Sequence, residues 1–145
     1  MKQIPSREYK SASTDETEKA GEDFAGLISG MKSGVVALYG DLGAGKTCFV
    51  KGVARGFGIA STVNSPTFSI INCYEGIGSQ LYHIDAYRLK NSEEILNIGY
   101  EDYVSEGICL IEWPEMIEKI LPKNAIRIRF SIESETDRTI RVGMA

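Results

Sequence analysis

A glycine-rich octapeptide constrains the fold of this chain more than any other feature. It reads Gly40-Asp41-Leu42-Gly43-Ala44-Gly45-Lys46-Thr47 and fits the phosphate-binding pattern G-x-x-x-x-G-K-S/T. The β-branched run Gly34–Tyr39 before it predicts a buried strand of a parallel sheet, and the apolar residues after it predict a helix running toward Gly58. The sequence therefore predicts a strand, a phosphate-binding loop and a helix in direct succession.

Each residue type in this loop has a physical reason. Glycines at 40, 43 and 45 permit the turns that point consecutive backbone N–H groups at phosphate oxygens, and the helix N-terminus adds its dipole. Lys46 supplies a cation for the β- and γ-phosphates, and the Thr47 hydroxyl is placed to bind Mg²⁺. We expect residues 40–47 to bind a nucleoside triphosphate together with Mg²⁺.

Composition limits the classes of protein to which this chain can belong. The 145 residues are enough for one α/β domain spanning 1–145. The net charge of −4 argues against nonspecific attachment to nucleic acid or to an anionic membrane. Cys48, Cys73 and Cys109 include no C-x-x-C pair and are expected to be small buried residues in a reducing cytosol. No secretory signal and no apolar run of 18 residues is present, so a cytoplasmic location is expected.

Periodicity and turn residues predict further elements along the chain. A helix capped by Ser13 or Thr14 precedes the first strand, and a β-hairpin has its second arm at residues 80–87. The remaining predictions are a short helix capped by Ser92, a turn of helix at 101–106, a strand at 108–111, a helix opened by Pro114, and strands at 125–133 and 139–144.

An acidic residue follows the predicted strand at 108–111. Glu112 therefore lies where a Walker B carboxylate binds Mg²⁺ or polarises the attacking water. A solvated carboxylate at a strand end is the alternative. Trp113, the only tryptophan, is more often a packing residue than a base-stacking one, although its position puts it near the site.

A second polar cluster lies at residues 82–88. The strand period of two places His83, Asp85 and Tyr87 on one face, where Asp85 can orient a water molecule or act as an outer ligand of Mg²⁺. A hydrogen-bonded structural role is favoured for His83, the only histidine. Arg88 could contact the γ-phosphate or form a salt bridge with Asp85 or Glu94.

A third segment, Ser65-Pro66-Thr67-Phe68, follows the predicted phosphate-loop helix. Nucleotide switches often place a mobile segment here, and Thr67 could sense the γ-phosphate and Mg²⁺. An ordinary proline-containing turn explains the same residues equally well.

Four motifs together resemble the TsaE (YjeE) family over residues 13–140: G-D-L-G-A-G-K-T, N-S-P-T-F, Y-H-I-D-A-Y-R and C-L-I-E-W-P. The resemblance implies a single P-loop NTPase domain of the α/β class, with a mixed central sheet flanked by helices. It implies an ATPase that binds ATP and Mg²⁺ and supports the transferase subunit TsaD and its paralogue TsaB in modifying adenosine 37 of tRNA. The tRNA is then an indirect partner.

The resemblance also assigns residue roles. It implies that Thr47 and Glu112 bind Mg²⁺ and that Asp85 is needed for turnover. Lys46 and Glu112 are the other expected catalytic residues. Residues 65–68 would form one switch, and Asp85 would lie in a second switch that continues through Tyr87 and Arg88. The nucleotide base would be contacted near Thr14 and Arg138.

Other functions remain open at this point. No N/T-K-x-D sequence for guanine recognition is present, so ATP is preferred to GTP. A small-molecule P-loop kinase fits the chain length, but no arginine-rich lid is found. A nucleotide-gated assembly factor with negligible turnover of its own is a further alternative.

Overall fold

A computed structural model describes residues 6–60, 63 and 70–144. The elements in chain order are β1 Arg7–Ser11, α1 Thr14–Leu27, β2 Gly34–Tyr39, α2 Lys46–Gly56, β3 Ile71–Glu75, β4 Gln80–Asp85, α3 Ser92–Asn97, α4 Tyr100–Glu106, β5 Ile108–Glu112, a 3₁₀ segment Pro114–Ile120, β6 Ile126–Ile132 and β7 Arg138–Met144.

The strands within these described residues form one seven-stranded sheet in the order β1-β7-β6-β2-β5-β4-β3. The central strand β2 is parallel to both of its neighbours, β5 and β6, and β4 is parallel to β5. The pairs β3–β4, β6–β7 and β1–β7 are antiparallel. The predicted mixed sheet is therefore confirmed, and the carboxyl ends of β2, β4 and β5 meet at one edge.

Two apolar layers cover the sheet. On one face, Phe24 of α1 and Phe49 of α2 pack over strand residues that include Val36, Leu38 and Leu110. On the other face, Ile95 and Ile117 pack over residues that include Val35 and Ile111. Burial on both faces explains why the runs at β2 and β5 are continuously apolar.

Helices α1 and α2 are in very close contact. A Cβ added to Gly52 would lie 1.9 Å from the Glu18 carbonyl oxygen, and one added to Gly21 would lie 2.2 Å from the Phe49 carbonyl oxygen. Arg55 also bonds to both Glu18 and Glu22 across the pair. Only residues without a side chain allow this approach, so the glycines hold the beginning of α1 beside the beginning of α2.

The start of α1 is capped as predicted. Ser13 has extended backbone angles, and its Oγ accepts the N–H of Glu16 at 3.1 Å. The Glu16 carboxylate accepts the N–H of Ala12 at 2.6 Å in return.

Several predicted boundaries were wrong. Asn91 rather than Ser92 caps α3, because its Oδ1 accepts the N–H of Glu94 at 3.3 Å. The second hairpin arm ends at Asp85 instead of 87, and the segment opened by Pro114 is 3₁₀ with a kink at Ile117. Of the three cysteines expected to be buried, only Cys109 is: Cys48 is half-buried, and Cys73 is exposed because it lies on the edge strand β3.

Strand β1 was not predicted at all. Its sequence, REYKS, is mostly charged and polar, and four of its five residues are at least partly exposed. An edge strand of this kind shows no apolar alternation in its sequence. Its hydrogen bonds to β7, rather than its own side chains, hold it in the extended conformation. None of the helices in the described ranges has the length and apolarity needed to span a bilayer.

Candidate functional site

The loop between β2 and α2 turns sharply at two glycines. Gly43 has φ of 84° and Gly45 has φ of 98°, both in the left-handed region that other residues avoid. The Ala44 N–H donates to the Asp41 carbonyl at 3.0 Å, and Ala44 is buried while Asp41, Leu42 and Gly43 are exposed. Helix α2 begins directly at Lys46. The octapeptide thus has the strand, loop and helix arrangement that binds phosphate.

Lys46 is held inside the loop. Its Nζ donates to the Gly40 carbonyl at 2.6 Å and lies 3.6 Å from the centre of the Trp113 ring. Burial lowers the pKa of this amine from its usual value, while the charge of the nearby Glu112 opposes that shift. Trp113 therefore contacts the phosphate-loop lysine itself.

Glu112 joins two elements of the site. Its Oε2 accepts the Thr47 hydroxyl at 3.0 Å and lies 2.5 Å from His83 Nε2, and its Oε1 lies 3.2 Å from the same hydroxyl. Glu112 is 4% exposed, so the interpretation of this residue as a solvated strand end was wrong. The oxygens of Thr47 and Glu112 are hard donors that suit Mg²⁺.

Asp85 lies beside Glu112 at the ends of the parallel strands β4 and β5. Its Oδ1 accepts the Tyr87 N–H at 3.0 Å, and the Ala86 N–H donates to the Glu112 carbonyl at 3.0 Å. The Tyr87 ring packs on Trp113 with centroids 4.9 Å apart, so the predicted second switch contacts the ring that covers Lys46. Arg88 is exposed and forms no salt bridge with another described residue.

A cleft of about 560 Å³ opens beside this cluster. The predicted residues that line it come from α1, the loop, the ends of β4 and β5, and the start of β7: Thr14, Leu42, Gly43, Ala44, Gly45, Lys46, Thr47, Asp85, Glu112 and Arg138. Arg138 Nη2 donates to the Gly43 carbonyl at 3.1 Å. The structure therefore places Thr14 and Arg138, which are distant in sequence, at the same cleft as the phosphate loop.

Some lining residues were not identified from the sequence: Ala12, Ser13, Thr17, Cys48, Glu135 and Thr136. Thr17 follows Thr14 by one turn of α1, which is the signal that could have suggested it. Glu135 and Thr136 lie in the β6–β7 turn, and only the tertiary fold brings this turn to the loop. The first predicted switch, residues 65–68, lies outside the described residues.

Among the described residues, no group of three His, Cys, Asp or Glu side chains is arranged to hold a metal ion. Such a group is not required for Mg²⁺, which is commonly bound by one or two protein oxygens together with substrate phosphates and water. Thr47 and Glu112 could supply those oxygens.

A glycine-rich phosphate loop between the central parallel strand and a helix defines a P-loop α/β protein. More narrowly, the chain belongs to the TsaE family, because residues 11–140 match the family described as "Threonylcarbamoyl adenosine biosynthesis protein TsaE". Its fold resembles the crystal structure of Bacillus subtilis YdiB, with a TM-score of 0.78 and 33% identity, covering 98% of this chain and 87% of the other.

Curated relatives agree with this assignment. The chain is 39% identical to the tRNA threonylcarbamoyladenosine biosynthesis protein TsaE of Treponema pallidum, over 91% of this chain and 96% of the relative. It is 44% identical to the Bacillus subtilis protein of the same name, over 73% of this chain and 66% of the relative. The Haemophilus influenzae protein is 40% identical, over 74% of this chain and 71% of the relative.

Proposed function

We propose that this protein is the Mg²⁺-dependent, ATP-binding and ATP-hydrolysing subunit that supports threonylcarbamoyladenosine formation at position 37 of tRNA. TsaD-like and TsaB-like proteins are its partners, and tRNA is engaged only through them. The names of its relatives support the pathway. Because those partners act on tRNA, the proposal places the protein in the cytoplasm.

The contact between Thr47 and Glu112 carries the proposal. It brings the last residue of the phosphate loop within 3.0 Å of the carboxylate that ends β5, and Lys46 lies next to both. A hydroxyl and a carboxylate at this spacing could together hold one Mg²⁺ ion. When bound, Mg²⁺ would offset the charge that develops on the transferred phosphoryl group.

The protein groups divide the remaining tasks. Lys46 and the N-terminus of α2 attract the phosphate oxygens, and Asp85 lies beside Glu112, where it can orient the attacking water. Thr14 and Arg138 also line the cleft and are proposed to contact the base and sugar. The absence of an N/T-K-x-D sequence favours ATP over GTP.

Reconstitution with TsaB and TsaD tests the proposal. We expect tRNA modification to pass one turnover only when this chain and hydrolysable ATP are both present. Multiple turnover without the chain, or with a non-hydrolysable ATP analogue, would contradict it. An ATPase rate measured alone and with the partners separates an enzyme from an assembly factor with negligible turnover.

A phosphoacceptor-dependent assay addresses the kinase alternative. The arginines that such an enzyme would place on a lid, Arg127, Arg129, Arg138 and Arg141, lie instead on β6 and β7. We therefore expect the release of inorganic phosphate to be independent of any small-molecule acceptor.

A further inference from the structure

His83 is a buried polar residue that the proposed reaction does not yet use. It is the only histidine in the chain and is 1% exposed. Its Nε2 lies 2.5 Å from Glu112 Oε2, and its Nδ1 has no hydrogen-bond partner among the described residues. We propose that His83 is a positioning residue that holds the Glu112 carboxylate toward Thr47, so that the two oxygens are preorganised for Mg²⁺. This inference rests on the proposed function.

The fold explains how His83 reaches Glu112. Strands β4 and β5 are parallel, with His83 opposite Leu110 and Asp85 opposite Glu112. Alternation places His83 and Glu112 on the same face of the sheet, and Thr47 is contributed by the first turn of α2, which covers that face. His83 therefore reaches Glu112 from the neighbouring strand, while Thr47 reaches it from the helix that covers this face.

The direction of the hydrogen bond follows from the chemistry of the two groups. A carboxylate that binds Mg²⁺ is ionised and only accepts hydrogen bonds, so the proposed role of Glu112 requires the Nε2 of His83 to carry the hydrogen. In a neutral ring the Nδ1 atom is then a bare acceptor, and this is the atom that has no partner in the described structure. The contact thus selects one tautomer of the ring.

The bond restricts a carboxylate that has only one other side-chain hydrogen-bond partner among the described residues, Thr47. Thr47 lies 3.0 and 3.2 Å from the two oxygens of Glu112, which leaves the carboxylate free to turn between them. The contact with His83 holds Oε2 in place, which keeps both carboxylate oxygens within 3.2 Å of the Thr47 hydroxyl. Partners that orient a metal ligand in this way commonly change metal affinity by about 10- to 100-fold when removed.

Substitutions at position 83 separate positioning from simple packing. His83→Leu removes the donor, whereas His83→Gln retains an N–H close to the position of Nε2. The control is Ile84→Val, a buried change on the same strand but on the opposite face. For each protein, the affinity for a non-hydrolysable ATP analogue is measured by calorimetry with Mg²⁺ and with EDTA.

We expect His83→Leu to lose about tenfold or more of the affinity gain that Mg²⁺ provides. The affinity in EDTA should stay near the wild-type value. His83→Gln should recover most of the gain, and Ile84→Val should keep all of it. If His83→Leu retains the full gain, or if His83→Gln loses as much as His83→Leu, the positioning role is wrong. A wild-type protein without any gain from Mg²⁺ overturns the proposed metal site instead.

The tautomer provides a test that needs no substitution. Because His83 is the only histidine, ¹⁵N–¹H NMR of its ring in the untagged protein requires no further assignment. A ring with hydrogen on Nε2 supports the inference, whether or not Nδ1 is also protonated. A ring with hydrogen on Nδ1 alone overturns it, since Nε2 could not then donate to Glu112.

Discussion

At the scale of single residues, Lys46 carries the charge on which the proposed nucleotide binding depends. Lys46 is 5% exposed, and its amine already contacts the Gly40 carbonyl and the Trp113 ring. Phosphate oxygens would repay the remaining cost of burying this cation. The site is therefore organised around a cation that is held in place before the ligand arrives.

We predict that Lys46→Ala abolishes measurable ATP binding, because the cation between the β- and γ-phosphates is lost. Calorimetry measures this directly. The matched control is Lys51→Ala, which removes a lysine from the same helix but outside the cleft. Wild-type ATP affinity in the Lys46 variant would contradict the proposal that this loop binds the phosphates of ATP.

The two carboxylates should affect chemistry more than binding. We predict that Glu112→Gln and Asp85→Ala each lower the ATPase rate with partners by about 10² to 10³, as expected for the loss of one well-placed electrostatic group. In Asp85→Ala the nucleotide affinity should change far less, because Asp85 acts mainly on geometry formed in the transition state. Glu112→Gln should lose at least as much of the Mg²⁺-dependent affinity as His83→Leu does, while its affinity in EDTA stays near the wild-type value. Full partner-stimulated turnover in Asp85→Ala would leave Asp85 as a strand-end residue that only accepts the Tyr87 N–H.

At the scale of elements, the contact between α1 and α2 aligns two sides of the cleft. Helix α1 begins at Thr14 and α2 begins at Lys46, and both residues line the cleft. The spacing between the helices is set by Gly21 and Gly52, which meet backbone atoms of the opposite helix. A change in this spacing would move Thr14 relative to the phosphate loop.

Two glycine substitutions test this spacing. Gly52→Ala should destabilise the protein by several kcal/mol, on the order of 3, because a Cβ there overlaps the Glu18 backbone. Gly26→Ala, in α1 with nothing within 4 Å of the added Cβ, should raise the free energy of unfolding by about 0.5–1 kcal/mol. Urea unfolding compares the two. Equal effects of both substitutions would show that the helices can separate without cost.

Some of these elements could be predicted from the sequence, and others could not. Strand β2, the loop and α2 were predictable because their apolar run and glycine pattern are local. The hairpin β3–β4 was predictable from alternation and its glycine turn. Strand β1 was not, because its order comes from pairing with β7 rather than from its own residues.

The candidate site divides in the same way. The proposed roles of Lys46, Thr47 and Glu112 follow from motif and spacing. The contact of His83 with Glu112 depends on the register of β4 against β5, and the contact of Trp113 with Lys46 depends on left-handed backbone angles at Trp113, with φ of 58°. Neither the register nor this backbone angle is visible in the amino-acid pattern.

At the scale of the whole molecule, several buried or half-buried acidic groups make stability depend on pH in the alkaline range. Burial raises the pKa of the Cys109 thiol to about 12 from the usual 9.0. Burial also raises the pKa of the Tyr100 and Tyr9 hydroxyls above their usual 10.0. In each case the folded state keeps a proton that the unfolded state releases, so unfolding becomes easier as pH rises above the unfolded pKa.

We predict that the free energy of unfolding is constant near pH 8 and falls as the pH rises above about 9. Each such group contributes at most about 1.4 kcal/mol per pH unit inside its own window. Urea unfolding at a series of pH values measures the slope. Cys109→Val should make the slope shallower above pH 9, and an unchanged slope in that variant would contradict the assignment to this thiol.

Nucleotide state should also control partner binding across the molecule. Tyr87 packs on Trp113, which contacts Lys46, so phosphate at the loop can be sensed at an exposed ring. We predict roughly 5- to 150-fold different affinities for the TsaB–TsaD pair between ATP-like and ADP states. Thr67→Ala, in the predicted first switch, should reduce that difference. Calorimetry giving one affinity with ADP, with an ATP analogue and without nucleotide would end the switch hypothesis.

The pairing of β1 with β7 has a consequence for biosynthesis. Lys10 bonds to Thr139, a residue 129 positions later, and this contact belongs to a strand pair that neither partner can form alone. On the ribosome, β1 is made early and must wait, unpaired, until β7 has emerged from the exit tunnel. Its charged and polar residues suit that interval, because an exposed apolar edge would invite association with other nascent chains. The residues that hid this strand from sequence-based prediction thus keep it soluble until its partner is synthesised.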